Sequence, residues 1–118
     1  MWDIEVTDEF ELWWDAQNDA VHEDVAAVVD LLEEHGPSLG RPYSGEIRGS
    51  RHKQMRELIV QSGGNPYRIL YAFDPRRTAV LLLAGCKGGA NRWYEEHVPK
   101  ADKLFDKLLE ELKNEGVI

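Results

Sequence analysis

The chain has 118 residues, of which 42% are hydrophobic and 31% charged, the proportions of one globular domain and not of a disordered segment. No window approaches the roughly 20 apolar residues of a membrane span, and the amino end, Met1-Trp2-Asp3-Ile4-Glu5, lacks the basic and apolar regions of a signal peptide. A single cysteine, Cys86, excludes an internal disulfide and a thiolate cluster, and the formal net charge of -8 argues against a nucleic-acid ligand if that charge is evenly spread.

We therefore expect one cytoplasmic domain over residues 1–118. Trp2, Ile4 and Val6 alternate with Asp3 and Glu5, the period of a short edge strand. Thr7 is placed to cap a first helix, with Asp8, Glu9 and Glu11 near the positive end of its dipole and Phe10, Trp13 and Trp14 at helical spacing. A second helix starts near Asp19, carries the stripe Val21, Val25, Val28, Val29 and Leu32, and stops at Gly36-Pro37. Residues 37–44 are turn-rich and predict a loop.

Strand patterns follow at about residues 54–61, 67–73 and 79–84. The connectors Ser62-Gly63-Gly64-Asn65-Pro66 and Asp74-Pro75-Arg76-Arg77 are short enough to require antiparallel neighbours. Beyond Asn91 the pattern is helical to about Glu115, and Pro99 either kinks this helix or begins a new one. These elements predict an α+β fold: an antiparallel meander sheet with two N-terminal helices and a C-terminal helix. The helices are expected on one face of the sheet, leaving the other face or its rim for a ligand.

Charge is not evenly spread. Residues 41–92 hold ten of the fourteen Lys and Arg against three acids, which makes that segment +7 and the two flanks together -15. A basic face on an acidic scaffold has this signature, and so do acidic helix surfaces joined by arginine-rich loops.

Within the segment, Arg68 falls on the middle strand, facing away from Tyr67, Ile69, Tyr71 and Phe73. A rigidly mounted guanidinium suits stabilisation of a phosphoryl transition state, whereas the alternative is an arginine lying beside the sheet or paired with Glu57. Arg48, Arg51, His52, Lys53 and Arg56 crowd a short stretch that reads as a phosphate-binding loop or a solvated basic loop, with His52 able to exchange a proton near neutral pH. Lys87, Arg92, Trp93 and Tyr94 combine cations with aromatics suited to single-stranded RNA, and the aromatics serve equally as core anchors of the last helix. The four histidines stand apart without metal-ligand spacing, so no metal site is expected, and Cys86 has no evident base beside it.

Several runs together resemble the phage-derived HigB-like branch of the RelE/ParE superfamily: residues 36–43, Ile47-Arg-Gly-Ser-Arg-His52, Met55-Arg-Glu-Leu58, residues 66–77 and Arg92-Trp-Tyr-Glu-Glu96 with Pro99-Lys-Ala-Asp102. The likeness extends from Trp2 to Glu115. It implies a RelE-like fold and the toxin of a type II toxin–antitoxin system, an endoribonuclease that cuts mRNA on the ribosome without a cofactor. Its implied partners are the ribosome and mRNA, a cognate antitoxin of the helix-turn-helix HigA-like kind, and operator DNA only through that antitoxin; no membrane is implied.

The same resemblance assigns Arg68 to charge stabilisation, Lys87 and Arg92 to its basic partners, His52 to proton transfer, and Arg48, Arg51, Lys53, Arg56 and Tyr94 to RNA contact. Two positions depart from the family pattern. Relatives read Met-Lys-Glu-Leu-Arg where this chain has Met55-Arg56-Glu57-Leu58-Ile59, and Gly-Asp-Lys-Thr-Gly where it has Gly85-Cys86-Lys87-Gly88-Gly89. Loss of one fixed donor beside a reacting phosphate costs about 2.7 to 4 kcal/mol of transition-state stabilisation. A second expectation therefore stands beside the nuclease: a catalytically impaired toxin fold acting as an antitoxin-binding co-repressor.

Overall fold

The computed structural model describes residues 1–89 and 92–118. Strand β1 (Ile4–Val6) leads into helices α1 (Asp8–Asp15) and α2 (Asp19–His35); β2 (Ser44–Glu46), β3 (Arg56–Ser62), β4 (Asn65–Phe73) and β5 (Ala79–Cys86) follow, and α3 (Arg92–Asn114) closes the chain. The sheet order is β1-β5-β4-β3-β2, with β1 parallel to β5 and every other pair antiparallel. Among the described residues, no helix is long and apolar enough to cross a membrane.

The local signals behave as their chemistry dictates. Thr7 Oγ1 accepts from the Phe10 N–H at 3.0 Å and donates to the Leu82 carbonyl at 2.7 Å, so one hydroxyl both starts α1 and ties it to β5. Asn18 caps α2 by accepting from the Val21 N–H at 3.0 Å. Gly36 ends α2 at φ 59, and a Cβ there would lie 2.3 Å from the Trp2 indole, so both backbone and packing require glycine. Pro99 does not divide the last helix; α3 runs as one element through it.

The expected placement of all helices on one sheet face is corrected. On one face, Phe10, Val25 and Leu32 from α1 and α2 pack against Leu58, Ile69, Tyr71 and Leu81. On the other, Trp93, Val98, Ala101 and Phe105 of α3 pack against Leu70, Ala72, Val80 and Leu82. The reason lies in β5, whose run Ala79-Val80-Leu81-Leu82-Leu83-Ala84 is apolar on both sides and must be covered twice.

A register shift in β5 refines this. Leu70 pairs with Leu83 and Tyr71 with Leu81, so Leu82 is the extra residue of a bulge. Leu82 and Leu83 both serve the α3 side of the core as a result. Strand β2, within and just beyond the predicted loop, is the other addition. Its buried Ser44 shares a 2.6 Å hydrogen bond with the Tyr71 hydroxyl and accepts from Arg56 Nε at 3.1 Å.

Leu82→Ala should lower unfolding stability by about 2–5 kcal/mol in urea titration, since a fully buried side chain leaves a cavity. Leu12→Ala, at a position 72% exposed, should change it by no more than about 0.5 kcal/mol.

Candidate functional site

The α3 side of the sheet gathers ionisable groups at the end where α3 begins. Arg68 on β4 stands across from Gly85 on β5 and Ile59 on β3. A Cβ on Gly85 would come within 2.7 Å of Trp93 Nε1, so the missing side chain is what lets the indole lie against the strand. Glu57 projects to the same face two residues along β3.

Arg68 Nε lies 3.3 Å from Glu57 Oε1, with the two side chains only 12% and 8% exposed. That separation holds the pair by charge, since the angles are not those of a hydrogen bond and Nε–H has no directed acceptor. Arg68 also donates from NH1 to the Tyr67 carbonyl at 2.9 Å. The Tyr94 hydroxyl donates to Glu57 Oε1 at 2.5 Å, and Lys87 Nζ sits 5.5 Å from the centroid of the Tyr94 ring.

Burial, reinforced by the Glu57 carboxylate, pushes the Tyr94 hydroxyl up to about 12 against the opposing pull of Arg68. Tyr94 therefore remains a donor throughout the physiological range.

The basic loop is held differently. Asp102 of α3, 2% exposed, accepts from Ser50 Oγ at 2.5 Å and from the Arg51 N–H at 3.0 Å. The next turn of α3 supplies Asp106, whose carboxylate accepts from Arg51 NH2 at 2.5 Å and from His52 Nε2 at 2.7 Å. Arg51, followed by His52, holds the Asp106 carboxyl below its ordinary range, and Asp106 raises Arg51 in turn. The His52 ring meets Phe105 edge-on at 4.8 Å, and Ile47 and Met55 enter the core beneath α3.

The predicted site residues thus separate into groups. Arg68, Lys87 and Tyr94 come together, joined by Glu57. Arg92, exposed, opens α3 two residues before Tyr94; Ala90 and Asn91, within the segment expected to bind RNA, lie outside the described residues. Arg51 and His52 sit beside Asp102 and Asp106, about 12 to 18 Å further along the helix from Tyr94 at 1.5 Å per residue. Arg48 and Lys53 are exposed on the loop. Arg56 shares the opposite sheet face with Leu58 and Val60 and bonds Ser44, so it does not join Arg68.

Two of these placements bear on the expected roles. Arg68 is not a freestanding cation: it takes the Glu57 partnership that its sequence context offered as the alternative. The His52 side chain is 17% exposed and its Nε2 is held by Asp106 at 2.7 Å. Glu57 was named in sequence reasoning as the alternative partner of Arg68, whereas Asp102 and Asp106 were not singled out for these roles. The four-residue spacing of Asp102 and Asp106 puts them on one side of a helix, which was the available signal.

Ultraviolet titration should find one tyrosine ionising near pH 12, absent in Tyr94→Phe; Glu57→Gln should move it downward. Because this folded-state value is raised above the ordinary 10.0, the associated stability is fully present below about pH 10. It should be lost as pH rises through about 12, measurable as a falling denaturant midpoint that Tyr94→Phe flattens.

Residues 12–106 match the family described as phage-derived protein Gp49-like. A Mycobacterium tuberculosis protein named "Putative toxin HigB2" is 42% identical over 104 residues, which are 86% of this chain and 52% of that protein. The chain thus spans about half the length of that relative. Another M. tuberculosis protein, "Putative toxin HigB3", is 43% identical over 100 residues, covering 84% of this chain and 86% of its own. The solution structure of the conserved hypothetical protein HP0894 from Helicobacter pylori aligns with a TM-score of 0.47 at 17% identity, over 74% of this chain and 96% of that one. With a family match over most of its length and a relative at 43% identity covered nearly end to end, the chain belongs to the phage-derived Gp49-like family, in its HigB-like branch.

Proposed function

We propose that this protein is the toxin of a type II toxin–antitoxin system, acting in the cytoplasm as a metal-independent endoribonuclease on ribosome-bound mRNA. The observation that carries this reading is the convergence of Arg68, Lys87, Tyr94 and Glu57 at one end of the α3 face. Two cations there can hold a phosphodiester, an aromatic ring can meet a base, and a carboxylate can accept a proton. The names borne by the HigB2 and HigB3 relatives support the toxin assignment.

In the proposed reaction the 2'-hydroxyl of the RNA attacks the adjacent phosphorus. The bond from 2'-oxygen to phosphorus forms as the bond to the 5'-oxygen breaks. The scissile phosphate competes with Glu57 for Arg68, and the released carboxylate takes the 2'-hydroxyl proton. Lys87 and Arg68 stabilise the negative charge that develops on the phosphoryl oxygens, and the departing 5'-oxygen takes its proton from solvent water. Arg92, Arg48 and Lys53 guide the RNA strand electrostatically, while Arg51 and His52 serve chiefly to fix the loop on α3. The cognate antitoxin, of the helix-turn-helix HigA-like kind, silences the site and carries the pair to operator DNA.

The second reading, a co-repressor without catalysis, draws on a specific observation. Ile59 stands across from Arg68 where relatives carry arginine, and Arg68 is neutralised by Glu57. Induced expression in bacteria separates the two. Growth arrest relieved by Arg68→Ala, with cleavage of ribosome-bound mRNA falling about 100- to 1,000-fold and the fold intact, is expected for the nuclease. Harmless wild-type expression would replace it with the co-repressor. Ile59→Arg should then restore toxicity if the missing cation is the cause.

A further inference from the structure

Strand β1 is the outermost strand on its side of the sheet. Its bonds toward β5 run through alternate residues: the Ala79 N–H donates to the Asp3 carbonyl at 2.9 Å and the Thr7 N–H to the Leu81 carbonyl at 3.1 Å. The N–H and C=O groups of Ile4 and Val6 therefore point outward, away from β5. They are an open template for another strand, and Val6 is 45% exposed.

A groove lies on each side of this edge, and both are lined by Ile4 and Val6. One, against α1 and α2, is bounded by Phe10, Trp14, Val25 and Leu81 and is predominantly apolar. The other, against α3, is bounded by Val80, Leu104 and Leu108. An extended segment laid along β1 would send successive side chains alternately toward the two grooves.

The charge around the grooves selects the occupant. Glu11 and Asp30 rim the first; Asp8, Glu9 and Glu111 rim the second, where Lys107 is the one cation among the described lining residues. Glu5, also at this edge, is already taken by Arg76, which is itself shared with Asp74. A second copy of this chain would bring the same acids against these, and a nucleic acid would bring phosphates.

We propose that the outer edge of β1 docks an extended segment of a partner protein, rich in lysine or arginine alternating with apolar residues, as an added strand. The surface stands on the geometry alone, and only the identification of that partner as the antitoxin rests on the toxin reading. The site lies two strands away from Arg68 of β4, with β5 between them. Docking there leaves the proposed catalytic groups uncovered by the added strand itself.

The test is titration of the full chain with a short peptide alternating lysine and valine, followed by backbone-amide NMR and hydrogen exchange. The peptide should bind in a salt-sensitive manner, shift the Ile4 and Val6 amides, and slow their exchange. Val6→Pro removes an outward N–H, which proline tolerates at a sheet edge, and should weaken binding about tenfold, the worth of one backbone hydrogen bond. Should that variant misfold, Glu11→Lys with Asp30→Lys leaves the strand intact and should weaken binding roughly fivefold.

Three results would overturn the proposal: no binding, equal binding of a peptide alternating glutamate and valine, or shifts mapping away from Ile4 and Val6. Self-association through β1, abolished by Val6→Pro, would replace the partner with a second copy and overturn it too. Peptide binding combined with harmless expression in bacteria overturns only the antitoxin identification. Toxicity without peptide binding leaves the toxin reading standing and removes the docking surface.

Discussion

One extra residue in β5 sets the geometry on which the rest depends. Leu82 occupies the bulge, and from that point the strand's facing is reversed relative to strict alternation. Leu83 and Gly85 consequently turn to the α3 side. Gly85 there lies across from Arg68 and accommodates the Trp93 indole, which brings the first turn of α3 over β4. The Tyr94 hydroxyl reaches Glu57 because of that placement. A packing irregularity in the core thus decides which polar groups meet at the surface, a familiar use of bulges beside functional positions.

Around this frame the acidic scaffold does more than surround the basic segment. Glu57 answers Arg68, Asp106 answers Arg51 and His52, and Glu5 with Asp74 answers Arg76. These pairs differ in worth. Arg51 and Asp106 are well exposed, where screening leaves such a pair worth little. Arg68 and Glu57 are nearly buried, and removal of either partner would strand the other's charge away from water. The buried pair also makes each group's availability depend on the other, which is why a phosphate arriving at Arg68 would alter Glu57 as well.

Much of the architecture was legible in the sequence because its signals are local. Thr7 before three acids, the α2 stripe ending at Gly36, and the two tight connectors around residues 65–73 each specify an element without tertiary help. Strand β2 was not legible: three residues cannot display a period, and Ser44 is held by Tyr71 and Arg56, both distant in sequence. The covering of both sheet faces was encoded in the unbroken apolar run of β5, whose length alone does not tell a strand buried twice from one buried once. For the site, the sequence brought out the cations and, Glu57 apart, passed over the carboxylates. Asp102 reads as an ordinary acid on a solvated helix, and only the folded loop reveals that it is buried and receives Ser50 and Arg51.

The Thr7 hydroxyl joins two segments separated by 75 positions, donating to the Leu82 carbonyl while it starts α1. During synthesis, β1 consequently has no strand to lie against until β5 follows it, 75 positions further along the chain. Until then α2 can pack on β3 and β4, but α1 lacks the strand it lies against, a period in which a nascent chain depends on late, long-range closure. β1, made before the other four strands, is among the last to pair.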